Sequence, residues 1–164
     1  MHGAIIELTT KPLTSEKWVK ATRFHQEGIG AYIQWSDYVR HSDCRQQDLE
    51  WLTKFVNESC GQDILIYQPE TNQLIFKQGF KRHFFGPRFD KVKKLMSDLD
   101  LETFASIKRD NIQLYQLEKA IREPHGFQIF KDEALEPLDD FVRYSLDDSK
   151  DQVYNIGSVL DYHY

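Results

Sequence analysis

The amino-acid sequence predicts the α+β class, with a mostly antiparallel or mixed sheet of about five strands packed against about five helices. Three observations carry this. Acid–base pairs at i, i+4 spacing coincide with apolar stripes of helical period. Short runs rich in β-branched and aromatic residues stand between those stripes. One pair of such runs flanks Pro69-Glu70-Thr71-Asn72-Gln73. Proline and asparagine suit a turn there, so the two runs form an antiparallel hairpin.

Taken in order, Ala4 to Thr9 reads as a strand. Residues 15–26 read as a helix carrying Trp18, Val19 and Thr22, although Trp18 to Phe24 also suits a strand. Gly30 to Ser36 is the next strand, with Ala31, Ile33 and Trp35 on one face. A helix over residues 44–60 follows, with Ser42 or Asp43 as its cap. Its stripe is Leu49, Leu52, Phe55 and Val56, and Gly61 stops it. Ile64 to Gln68 and Leu74 to Lys77 are the arms of the hairpin. Pro87 then suits the first turn of a helix that buries Phe89, Val92, Leu95, Met96 and Leu99. A short helix spans Asp100 to Ile107, and another carries Leu114, Leu117 and Ile121 up to Pro124-His125-Gly126. Phe127 to Phe130 is a strand. A last helix starts at Pro137 and buries Leu138, Phe141 and Val142, and Val153 to Ile156 is a short final strand. The supporting ion pairs are Glu16–Lys20, Glu50–Lys54, Asp90–Lys94, Glu118–Arg122 and Asp139–Arg143.

Composition sets the outer limits. A chain of 164 residues is expected to form one domain, residues 1–164. Phe, Tyr and Trp make up 13% of it, which is far too rich for a disordered chain and points to a ring-based core. A net charge of −5 does not suit a general nucleic-acid binder. Cys44 and Cys60 would lie about 24 Å apart along one helix, beyond the ~7 Å reach of a disulfide, so a reducing compartment is expected. The first residues show no charged-then-apolar leader, and no apolar run approaches the roughly 20 residues of a membrane span. The expected location is the cytoplasm, with no membrane partner.

No phosphate-cradling glycine loop and no serine elbow stands in the chain. Gly28-Ile29-Gly30 lacks the third glycine and leads into a strand. His41 and Cys44 supply at most half of a zinc site, so no metal and no cofactor is expected. The same two residues offer the sole hint of an activated thiol, because Cys44 stands near a helix start beside an imidazole. Asp98, Asp100 and Glu102 alternate like the start of a calcium loop, but the sixth and twelfth positions are Thr103 and Arg109.

The most unusual feature is charge segregation. Residues 77–94 hold Lys77, Lys81, Arg82, Arg88, Lys91, Lys93 and Lys94 against Asp90 alone, interleaved with Phe80, Phe84, Phe85 and Phe89. Residues 132–151 hold eight acids against Arg143 and Lys150. Cations with rings can pair phosphates and stack bases, which makes Lys77, Lys81, Arg82, His83 and Arg88 candidate nucleic-acid contacts. The run Lys77 to Phe85 resembles the aromatic strand of an RNA-recognition module, although the elements around it stand in a different order. Two further readings compete. The rings are core and the cations their solvated neighbours, or the two charged segments face each other within one chain or across a homodimer. The function expected first is a non-enzymatic interaction or regulatory domain whose partner is a protein or a second copy. Nucleic-acid binding through 77–94 comes second. An enzyme assembled from distant residues such as Cys44, His41 and His83 comes third.

Overall fold

The computed structural model describes residues 2–25, 38–105, 112–122 and 126–163. A seven-stranded mixed sheet organises them. Its strands are β1 (His2–Thr9), β2 (Tyr38–His41), β3 (Leu65–Gln68), β4 (Gln73–Phe76), β5 (Phe127–Lys131), β6 (Ala134–Pro137) and β7 (Gln152–His163). They run in the order β3-β4-β7-β1-β5-β6, and β2 pairs with the end of β7 beyond β4. β1 and β5 are parallel, and the other described pairings are antiparallel. The helices are α1 (Arg45–Cys60), α2 (Phe80–Ser97), α3 (Leu101–Ala105), α4 (Ile112–Arg122) and α5 (Leu138–Asp140), which runs on into a π-helical turn, Phe141–Ser145. The α+β class holds, with more strands than the sequence predicts.

β7 is the spine of the sheet, and its alternation explains why only its start is legible. Tyr154 and Ile156 face one core. Then Ile6 pairs with Val159 while Leu8 pairs with Ile156, so Gly157 and Ser158 together oppose Glu7. This is a β-bulge, and the extra residue breaks the period of two. Beyond it Val159 and Leu160 are buried on opposite faces. A strand covered on both sides loses the polar alternation by which strands are read.

Ala4, Ile6, Leu8, Phe127, Ile129, Tyr154 and Ile156 cover one face of the sheet, against Leu49, Leu52 and Val56 of α1, Phe80 and Phe84 of α2, and Phe141 and Val142. Ile5, Val39, Phe130, Leu160 and Tyr162 cover the other, against Val19 and Phe24. The ring-based core is real: Phe76 lies between Phe80, Phe141 and Tyr154, at centroid distances of 5.0, 5.5 and 5.9 Å.

Several local expectations change. Residues 15–26 form neither an α-helix nor a strand but two 3-10 turns, Ser15–Lys17 and Ala21–His25. The break falls at Val19, whose N–H donates to Glu7 Oε2 at 3.0 Å instead of to a carbonyl one turn back. α1 buries its expected stripe of Leu49, Leu52 and Val56 and ends on Gly61 at φ 67°. Cys44, however, occupies its cap position, while Ser42 Oγ accepts the Cys44 N–H at 3.0 Å. Lys54 lies 3.8 Å from Glu58, and Glu50 accepts from Gln46 at 2.8 Å. α2 starts at Phe80, so Pro87 falls inside it. An internal proline forfeits one backbone hydrogen bond. The burial of Phe80 and Phe84, one turn apart, outweighs that cost and fixes the earlier start. β6 was hidden by charge: Asp132 at φ 49° and Glu133 at φ 68° form the two-residue turn from β5, without the Asn-Gly signature. The strand expected over Gly30 to Ser36 lies outside the described residues.

Candidate functional site

The two charged segments meet within this chain, and the reason is helix capping. The first amides of a helix have no carbonyl partners. Gly79, at φ 78°, begins α2 without a side chain to serve them. Acids distant in sequence do so instead. Asp148 Oδ1 accepts the Lys81 N–H at 2.9 Å, and Asp148 O accepts the Gly79 N–H at 3.1 Å. Asp151 Oδ1 accepts the Gln78 N–H at 2.8 Å, and its other oxygen pairs with Lys77. Further along, Arg88 pairs with Asp139, at side-chain exposures of only 11% and 20%. The Arg88 and Arg143 guanidiniums stand 5.0 and 4.5 Å from the Phe85 ring centre.

Of the five sequence-selected residues, then, Lys77 and Arg88 hold carboxylates, and Lys81 donates through Nζ to Arg143 O at 3.2 Å. His83 hydrogen-bonds Gln62 through Nδ1, and Arg82 is exposed. Phe80 and Phe84 are core rings in a helix, where the sequence resemblance implied a strand. The Lys77 ammonium, and after it the Gln78 amide, hold the Asp151 carboxyl below its ordinary range. Such a group stabilises the fold above the ordinary carboxylate range and stops doing so as pH falls through its lowered value. In an NMR titration Asp151 is expected to protonate below a free aspartate, and Lys77→Met to move it upward. An unmoved titration in that variant would remove the ion pair as the cause.

His41 Nδ1 lies 3.3 Å from Ser158 Oγ, and Cys44 is exposed at the start of α1. Burial pushes the Cys60 thiol up to about 11, which keeps it protonated and a poor nucleophile at neutral pH. Two open clefts of about 600 Å³ each flank these elements. One is lined by Cys60, Arg82, His83, Phe85, Phe89 and Asp90. The other is lined by Glu7, Lys17, Trp18, Lys20, Arg23 and Phe130, among others. Among the described residues no three His, Cys, Asp or Glu side chains are grouped to hold a metal.

The feature that sequence reasoning missed is a helical arm. α2 has 18 residues, hence a length of about 27 Å, yet its buried residues are Phe80 and Phe84 in the first turns. From Phe85 to Ile121, Ala120 is the one described residue that is buried. α4 packs along α2, placing Leu114, Leu117 and Ala120 inward. Phe89 is 65% exposed, Leu101 80% and Phe104 62%, and Met96, Ile112, Tyr115 and Ile121 are also more than half exposed. None of these seven belongs to either core cluster. The stripe of Phe89, Val92, Leu95, Met96 and Leu99 expected in the core is therefore only partly covered: Val92, Leu95 and Leu99 are half-buried, while Phe89 and Met96 face outward. The available signal was a surplus. The helices offer more apolar surface than one sheet can cover.

No family model, curated protein or solved structure matches this chain.

Proposed function

We propose that this protein is a non-enzymatic interaction domain that binds another polypeptide through the α2–α3–α4 arm. One observation carries the reading: large apolar side chains, Phe89, Met96, Leu101 and Phe104 foremost, stand in water on helical segments beyond the core-anchored first turns of α2. Scattered exposed apolar residues are ordinary, but a concentration on one projecting unit marks a binding surface. Aromatic and methionine side chains are the types enriched at interface centres. Supporting it, three of the cations that would serve nucleic acid already have intramolecular partners, in Asp151, Asp139 and the Arg143 carbonyl. A phosphate at Lys77 or Arg88 would have to displace a carboxylate.

Photocrosslinking tests this. Benzoylphenylalanine placed at 89 or 104 is expected to give discrete adducts with a protein chain in extract of the source cells. The same probe at Thr71, exposed on the β3–β4 turn, is expected to give none of them. Arm positions that give no protein adduct, or the same adducts as position 71, would overturn the reading.

A further inference from the structure

The arm's charges are arranged lengthwise, and that arrangement selects a partner. Along the shaft Lys91, Lys93 and Lys94 are exposed, with Asp90 as the one neighbouring acid. At its far end Asp98, Asp100 and Glu102 are exposed, with no cation through Ala105. From these observations, and resting on the interaction reading above, we infer that the arm pairs with a second copy of itself, antiparallel, about a two-fold axis near Met96. An isologous contact of this kind presents the same patch from both partners, so the patch must complement itself. Antiparallel overlap lays each acidic end on the partner's lysine shaft. Parallel overlap sets like charges together, which costs several kcal/mol in a contact. Interspersed with the charges, Phe89, Met96, Leu101 and Phe104 supply the apolar contacts. A fully covered aromatic ring buries about 150–250 Å², and these four side chains stand 60–80% exposed. Together with their flanks they approach the ~800 Å² per partner of a standard interface. The ion pairs themselves set orientation more than affinity.

Analytical ultracentrifugation of the full chain tests this. The unmodified protein is expected to sediment as a dimer at micromolar concentration. The triple variant K91E/K93E/K94E leaves residues 90–102 wholly acidic, and D98K/E102K leaves them largely basic. Asp100 is left in place because its Oδ1 accepts the Thr103 N–H at 2.6 Å and holds the start of α3. Each variant alone is expected to raise the dissociation constant roughly 100-fold, by turning complementary contacts into repulsive ones. An equimolar mixture of the two is expected to recover the dimer, because each shaft again meets an end of opposite charge. The altered residues are all exposed, so both variants should retain the parent's helical circular dichroism. A monomeric parent, or a dimer that both variants leave intact, would overturn the inference. The interaction reading fails separately. If the parent is monomeric while positions 89 and 104 still crosslink to a different protein, self-pairing falls and the binding arm stands.

Discussion

Phe76→Ala is expected to destabilise the protein by about 3–5 kcal/mol, the cost of emptying a fully buried aromatic site. Phe76 ends β4 with no exposure to solvent, and its ring meets rings from α2, from the turn after α5 and from β7. Those neighbours cannot close over the gap easily. Phe80 is fixed by the α2 start, which Asp148 and Asp151 hold, and Tyr154 is fixed by pairing with Leu74 in the sheet. Each kcal/mol lowers the melting temperature of a chain this size by about 2–4 °C, so a drop of roughly 10 °C is expected in a thermal melt. Phe104→Ala removes the same atoms from a ring that is 62% exposed, and is expected to change stability by less than about 0.5 kcal/mol. Equal effects from the two substitutions would show that the arm is packed as the core is, which would also remove the basis for a binding surface.

That contrast also marks where the sequence was legible. Elements whose local pattern and final environment agree were readable: α1 with its stripe and Gly61, the β3–β4 hairpin with its proline and asparagine, and the helical turn that buries Leu138, Phe141 and Val142. Misreadings occurred where long-range contacts decide. Pro87 looks like a start when seen alone, but Phe80 and Phe84 draw seven more residues into α2. β7 looks short because its bulge and its two buried faces erase the alternation. The turn at Asp132-Glu133 adopts left-handed geometry with residues chosen for charge. The basic segment was visible as charge, but its capping partners, some 70 positions away, could not be paired without coordinates. The arm was invisible for a different reason. A stripe at helical spacing reports that a helix has an apolar face, and not whether anything in the same chain covers it.

The bulge in β7 is the second place where one substitution should have a large effect. Glu7 is 6% exposed, and its Oε2 accepts the Val19 N–H at 3.0 Å and the Ser158 N–H at 2.8 Å. The carbonyls of the same bulge are served from the other side. Arg45 Nη2 donates to Gly157 O at 3.1 Å and to Ile156 O at 3.3 Å, and Asn72 Nδ2 donates to Ile156 O at 2.6 Å. Glu7→Leu keeps the approximate volume and leaves two buried amides without acceptors. Each orphaned group costs about 1–3 kcal/mol, so a loss of about 3 kcal/mol or more is expected in urea unfolding. Glu7→Gln retains a carbonyl that can accept from both amides and is expected to cost about 1 kcal/mol, the difference between a charge-assisted bond and a neutral one. Gly157→Ala attacks the same arrangement from the backbone side, since a methyl there would overlap the Glu7 carboxylate. Because Glu7→Ala removes the Cγ, Cδ and Oε2 atoms that this methyl would meet, the double variant Glu7→Ala/Gly157→Ala is expected to lose less than its two single losses added together. Strict additivity would mean that Gly157 is required for something other than room for Glu7, and the bulge would need another explanation.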